Sequence, residues 1–313
     1  MIVALLQRAN RARVGSRGVD TGVESFEQHR AHLIRVGYRI TGSLADAEDA
    51  VQEAWLRLAG LDDDARAELR DDRAWLTTVV GRLCLDRLRS AAVRRERYVG
   101  PWLPEPLLTN GDADEPLAAV VRDEGVRMAA MVVLERLSPP QRVAFVLHDA
   151  LALPFSQIGD VLGCSEAAAR QHATRARRLV AAADPPPRVH TAEQRAVLGR
   201  FAEAISRADG PALLALLHPD AQWVTDSNGK TKAARRTIVG ADKLTRLLLG
   251  LLDRYGDEMA TGWTPVEVNG DLGFRTPAYG GTGPGVTVVT IRDGLITAVY
   301  LMVNPEKLEH RPA

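Results

Sequence analysis

The sequence predicts a multidomain protein: two all-α domains, the second a helix-turn-helix, followed by an α+β domain. Three observations carry this. The chain reads almost wholly helical up to Asp184-Pro185-Pro186-Pro187, and consecutive prolines end a helix and favour an extended spacer. Gly163 and Ser165 split a basic amphipathic stretch into two short helices with a turn between them. Beyond the prolines, helical periods give way to alternating strands punctuated by Asn269-Gly270 and Asp293-Gly294, which are hairpin turns.

Residues 1–22 lack periodicity and read as a loose arm. A helix is expected from Phe26 to Thr41. Ser43 opens the next, with Asp46 three residues on as in a capping box, and Ala47, Ala50, Val51, Ala54 and Leu58 keep helical spacing. The acidic stretch Asp62–Asp72 is expected as a loop with a short turn, and Arg73–Arg97 as a long helix ending in a basic cluster. Pro101–Pro116 should be irregular and Leu117–Arg136 helical. Ser138-Pro139-Pro140-Gln141 is a second helix start, with Ser as cap and Pro at the first position. After the triple proline, Ala192–Ser206, Pro211–Leu217 and Ala241–Tyr255 read as helices. Gln222–Thr225, Ala234–Val239, Val266–Val268, Leu272–Arg275, Val286–Ile291 and Leu295–Val303 read as strands. The implied boundaries are 23–99 and 126–183 for the helical domains, 100–125 and 184–190 for linkers, 191–303 for the α+β domain and 304–313 for a tail.

With 40 basic and 40 acidic residues among 313, the formal net charge is zero, which by itself argues against a nucleic-acid binder. The total conceals segregation. Residues 138–190 hold six basic and four acidic groups, with Arg170, Arg175, Arg177 and Arg178 unopposed, whereas 101–137 hold three basic and seven acidic. Such separation leaves each patch free to act locally, and a chain with no overall positive field should bind DNA weakly alone. The apolar runs Met1–Leu6 and Leu247–Leu252 are far short of a membrane span. Cys84 and Cys164 suffice for neither a four-ligand zinc site nor a disulfide scaffold. A reduced, cytoplasmic protein without metal or cofactor is expected.

The sharpest chemistry lies in Pro154–Leu179. Ala169, Ala173, Ala176 and Val180 form an apolar stripe on the second helix, and Arg170, Gln171, Thr174, Arg175 and Arg178 form the opposite face, with Ser165 as cap. Arg and Gln are the side chains that read guanine and adenine edges in a major groove. A second constellation is Arg82, Arg87, Arg89, Arg94, Arg95 and Arg97, with Trp75, Thr78, Arg82 and Arg89 on one helical face. Phosphate neutralisation beside an aromatic suits melted or single-stranded DNA, although Trp75 itself reads more readily as core. A third is Asp46, Asp49 and Glu53, with Gln52 beside them, an acidic stripe able to dock a basic protein surface.

The text Ile40–Leu58, RAWLTTVVGRLCLDRLRS and LSPPQRVAFVLHDALALPFSQIGDVLGCSEAAARQHATRARR resembles domains 2 and 4 of extracytoplasmic-function sigma factors over residues 23–183. WLPEP (Trp102–Pro106), DSNGK (Asp226–Lys230) and NPEKL (Asn304–Leu308) narrow the resemblance to the actinobacterial group with a C-terminal SnoaL-like, NTF2-like domain. It then covers nearly all of the chain after residue 22.

The resemblance implies roles. Asp46, Asp49, Gln52 and Glu53 would dock on the clamp of the β′ subunit of core RNA polymerase, whose β flap is the other expected contact. Trp75, Thr78, Arg82, Arg87, Arg89, Arg94 and Arg95 would meet the −10 element of promoter DNA. Ser165, Arg170, Gln171, Thr174, Arg175 and Arg178 would face the −35 element. Trp102, Pro104, Glu105, Asp226, Lys230, Asn304, Pro305, Glu306 and Lys307 would be regulatory, letting the C-terminal domain act in cis. Arg82 stands where many relatives carry Asn, so their −10 preference is not expected to transfer. Ser227-Asn228 replaces glycines common in the group.

The rival reading is a transcription factor whose NTF2-like cone binds or converts a small ligand, with Asp226, His218, Asp220 and Tyr300 as candidate groups. An ordinary repressor needs one helix-turn-helix, whereas this chain carries two basic surfaces and an acidic stripe. A non-enzymatic sigma factor is therefore the leading expectation.

Overall fold

A computed structural model describes residues 18–69, 71–95, 97–109 and 117–308. Helix α1 spans Gly18–Thr41 and so begins within the stretch expected to be a loose arm; residues 1–17 lie outside the described residues. Helix α2 is Leu44–Ala59, capped by the Ser43 side chain, which accepts the Asp46 N–H. Asp62 caps a further helix, α3, Asp63–Glu68, where a loop was expected; the Asp62 carboxylate satisfies the Ala65 N–H and makes six residues helical. Helix α4 runs Asp72–Arg95.

The expected helix Leu117–Arg136 is broken into α5 (Ala118–Val121), a 3₁₀ turn (Glu124–Val126) and α6 (Met128–Leu134). Asp123 accepts the Gly125 N–H at 2.7 Å, a local side-chain bond that competes with the helix. Arg39 leaves no room for a Cβ on Gly125, which would stand 2.4 Å from its Cζ. Helix α7 (Pro139–Phe145) carries the expected capping box and continues into a π turn, Val146–Ala150. Helices α8 (Phe155–Leu162) and α9 (Glu166–Ala183) complete the helical part.

The C-terminal domain contains α10 (Thr191–Ser206), α11 (Gly210–Leu216), α12 (Ala241–Tyr255) and α13 (Asp257–Ala260). Its strands are β2 (Leu217–Asp226), β3 (Ile238–Val239), β4 (Thr264–Val268), β5 (Asp271–Thr276), β6 (Gly285–Arg292) and β7 (Leu295–Met302). The strand expected over Ala234–Val239 shrinks to its last two residues. Among the described residues the sheet order is β1-β4-β5-β6-β7-β2-β3, with β2 and β7 parallel and the other pairs antiparallel. Strand β1 is Leu108–Thr109, supplied by the linker between the helical domains and paired with Val268 and Glu267 of β4. The linker is irregular over residues 101–107, as expected, but then borrows the sheet edge; residues 110–116 lie outside the described residues.

Helices α1, α2 and α4 bury Leu33, Ala47, Val51, Leu76 and Val80 in one continuous core with Leu147, Ile158, Val161, Ala169 and Ala173 of the second helical domain. The sheet is covered on both faces. Val289, Ile291, Val299 and Leu301 pack with Phe201, Trp223, Leu244 and Leu248 on the helix side. Val286, Val288, Tyr300 and Met302 pack with Leu103, Leu108 and Met128 on the other. Alternation was expected here; β6 and β7 are instead buried on both faces, as strands covered on both sides are.

Candidate nucleic-acid interface

Gly163 ends α8 in the left-handed region at φ 68°, and Ser165 caps α9 by accepting the Ala168 N–H. Gly159 lies where the two helices meet; a Cβ there would stand 2.7 Å from the Cys164 carbonyl oxygen. Ala169, Ala173 and Ala176 are fully buried, which turns Arg170, Gln171, Thr174, Arg175 and Arg178 to the opposite, outward face of the helix. The Arg170 guanidinium is 2.7 Å from Glu166 and 5.1 Å from the Phe155 ring centroid. The Thr174 hydroxyl donates to the Arg170 carbonyl. Arg177, counted above with the unopposed arginines, pairs instead with Asp149 at 2.6 Å, because it points back toward the π turn.

On α4, Trp75 packs against the shared core and the Thr78 hydroxyl donates to the Ala74 carbonyl. Arg82 reaches the other helical domain, donating to the Asp160 carbonyl at 2.9 Å. Arg87 lies 3.8 Å from Asp46 and Arg89 3.7 Å from Asp86. The expected basic face is therefore partly engaged within the protein itself. The side chains of Arg94 and Arg95 lie outside the described residues.

On α2, Asp49 and Gln52 are exposed and Glu53 pairs with Arg57. Leu56, missed in the sequence reading, belongs with them: it is 51% exposed and follows Asp49, Gln52 and Glu53 at helical spacing. Its signal was an apolar residue off the buried stripe. The N-terminus of this helix is closed by the linker. The Glu105 carboxylate accepts the Leu44 N–H at 2.8 Å and the Ser43 hydroxyl at 3.2 Å, a favourable place for a negative charge.

Linker, tail and C-terminal domain meet at Asp226, which is fully buried. Its carboxylate accepts the Tyr98 hydroxyl, the Leu103 N–H at 2.8 Å and the Lys307 ammonium at 2.7 Å. Lys307 stands 3.8 Å from the Trp102 ring centroid, an ammonium–aromatic contact, and also donates to the Leu103 carbonyl. Asn304 donates to the Tyr98 oxygen at 3.0 Å and caps the turn Pro305–Lys307. Burial first, and the Asp226 charge second, push the Tyr98 phenol well above its usual range. Lys230 pairs with Glu306, whose carboxyl is held below its usual range chiefly by that hydrogen bond. Pro104 is buried and Pro305 exposed.

The groups raised for a catalytic cone are not brought together. His218 and Asp220 lie near the start of β2, half-buried and exposed, and Asp226 ends the strand. In the β2–β7 register Val224 pairs with Tyr300 and Asp226 with Met302. Asp226 and Tyr300 therefore lie on the linker side of the sheet, away from the interior filled by Phe201, Trp223 and Phe274.

Comparison with known proteins fits this arrangement. Residues 25–94 match the Sigma-70 region 2 family and residues 127–180 match Sigma-70, region 4. The chain is 49% identical over 302 residues to the ECF RNA polymerase sigma factor SigJ of Mycobacterium tuberculosis, covering 93% of this chain and 94% of that protein. The chain belongs to the ECF RNA polymerase sigma factors. It is 34% identical over 294 residues to the probable ECF sigma factor SigI of the same species, covering 91% and 94%. The crystal structure of the M. tuberculosis extracytoplasmic function sigma factor SigJ superposes with a TM-score of 0.77 at 47% identity, covering 93% of this chain and 99% of that one. As a sigma factor, the chain works with core RNA polymerase in promoter recognition and transcription initiation, and its last domain is an α+β sheet domain. Among the described residues no helix is long and apolar enough to cross a membrane, and no group of three His, Cys, Asp or Glu could hold a metal ion.

Proposed function

We propose that this sigma factor is held closed by its own C-terminal domain, which grips the linker and so regulates promoter engagement in cis. In this reading α9 presents Arg170, Gln171, Arg175 and Arg178 to the −35 element, and α4 presents Arg82, Arg87 and Arg89 to the −10 element. Asp46, Asp49, Gln52, Glu53 and Leu56 dock on the β′ clamp, and the second helical domain meets the β flap. The non-catalytic reading of the cone follows from the outward placement of Asp226 and Tyr300; a ligand-converting transcription factor is not favoured.

The gathering of linker and tail on Asp226 carries the proposal. The −10 and −35 elements are about 25 base pairs apart, or about 85 Å of duplex at about 3.4 Å per pair. The contact between Arg82 and the Asp160 carbonyl instead holds α4 against α8, the first helix of the helix-turn-helix. A fully extended stretch over 100–125 reaches about 90 Å, but Trp102–Thr109 is held by the C-terminal domain and Val120 and Val121 lie in the shared core, so these contacts stand in the way of such a separation. Loading on a promoter therefore requires that the C-terminal domain release the linker.

The test is run-off transcription with core polymerase, comparing the full chain with chains ending at Asp184 or just before Asn304. Altered promoter-dependent output from either truncation is expected; unchanged output from both overturns the regulatory reading.

A further inference from the structure

The loop from Ser227 to Gly240 carries Lys230, Lys232, Arg235 and Arg236 and no acidic residue. Lys230 is taken up by Glu306, but Lys232, Arg235 and Arg236 are exposed and form no ion pair among the described residues. Their position is the informative part. The backbone of Arg235 runs against Gly100, 3.6 Å from where a Cβ on that residue would stand. Gly100 follows the basic end of α4, after exposed Arg97, and Asn228 accepts the Val99 N–H at 3.3 Å. The loop is thus seated on the segment that leaves the candidate −10 helix. An aromatic continues the line: Lys232 Nζ lies 3.0 Å from the Tyr255 hydroxyl, and Arg254 stands 5.4 Å from that ring's centroid. Exposed cations beside a tyrosine edge suit a nucleic-acid strand whose phosphates are neutralised.

We propose that Lys232, Arg235, Arg236 and Tyr255 form a ramp on the C-terminal domain that takes up single-stranded DNA leaving α4. The domain that restrains the closed protein then also holds the melted promoter strand. This rests on the reading of α4 as the DNA-facing helix.

The test uses the full chain and the salt dependence of its binding to a single-stranded oligonucleotide and to the corresponding duplex. Each lost phosphate contact lowers the slope of log K against log salt by about 0.7 on a single strand. The pair Arg235→Ala and Arg236→Ala should therefore flatten the single-strand slope by about 1.4, with a smaller change on duplex, while Arg235→Lys with Arg236→Lys restores it. Arg89→Ala reports on α4 separately. If Arg89→Ala flattens the slope and the loop pair does not, the ramp is wrong and the α4 reading stands. If neither does, both fall. Flattening on duplex alone, or a loss of core-polymerase affinity with both DNA slopes intact, overturns the assignment to a single strand.

Discussion

Lys307 Nζ lies 2.7 Å from Asp226 Oδ2, with the carboxylate fully buried and the lysine side chain 14% exposed. A buried charge that loses its partner is strongly destabilised. Asp226 would still keep the Tyr98 hydroxyl and the Leu103 N–H, so Lys307→Met should cost about 2–3 kcal/mol rather than the full 3–5. Asp226→Asn in the same chain should cancel part of that loss. Urea unfolding of both single variants and the double variant measures the coupling; simple additivity would show that the pair does not hold the tail.

Asn269 is the turn residue at which the domains meet. Its side chain donates to the Tyr38 oxygen at 2.8 Å and to the Val126 carbonyl at 2.6 Å, and accepts the Leu107 N–H at 3.1 Å. Its φ is +54°, which glycine adopts without strain. Asn269→Gly therefore removes the amide and leaves the turn, and should cost about 2–4 kcal/mol, the net worth of three buried hydrogen bonds. Asp293→Gly, at the equivalent place in the second hairpin with φ +52°, should stay within about 0.5 kcal/mol. Denaturation midpoints compare the two directly.

The separation required for promoter binding is measurable by energy transfer between dyes on D86C and A182C, in a chain with Cys164→Ser. Asp86 lies on α4 beside Arg82, and Ala182 is exposed near the end of α9. Transfer should be efficient in the free protein and fall on binding core polymerase, and Lys307→Met should lower it without polymerase. Equal transfer in free and bound states would mean that the helical domains never part.

Much of this molecule was legible in its sequence. Ser43, Gly163, Ser165 and Asn269-Gly270 act through bonds to near neighbours, so local spelling placed α2, the helix-turn-helix and the hairpin. What escaped depends on distant partners. The bonds of Arg82 to the Asp160 carbonyl and of Arg87 to Asp46 are not spelled in the local text. The break at Gly125 required Arg39, and the pairing of Leu108 with Val268 required a sheet edge far along the chain. The burial of β6 on both faces also escaped, because its second cover, the linker, lies far away along the chain.

His32 gives the protein an acid sensitivity. Its ring contacts Thr77, Arg35 and Arg73. Burial first, then Arg73, Arg35 and His29, lowers its pKa from 6.5 to about 4. Between those values the unfolded chain binds the proton and the folded one does not, so stability falls as pH drops from about 6.5 toward 4. One pKa unit is about 1.4 kcal/mol; with partial solvent access, a loss of about 1–2 kcal/mol is expected. His32→Asn should flatten that part of the stability–pH curve while leaving the pH 8 value nearly unchanged. A curve of the same slope would place the acid sensitivity elsewhere.

Within the recognition helix the side chains are not equally free. Arg170 is tied to Glu166 and rests over Phe155, and the Thr174 hydroxyl donates to its own helix. Gln171, Arg175 and Arg178 are exposed, and no ion pair holds them among the described residues. A bidentate contact to the correct base is worth about 1–3 kcal/mol of discrimination. Arg175→Ala should therefore relax selection at one position of the −35 element by that amount. An arginine that touches only phosphate would instead weaken all sequences alike. Thr174→Ala should change selection by less than about 0.5 kcal/mol. Glu166→Ala frees Arg170 and should strengthen binding across sequences, with a steeper salt dependence. Selection from a randomised −35 library by holoenzymes carrying each variant separates these outcomes, and a flat Arg175→Ala profile would remove that residue from base reading.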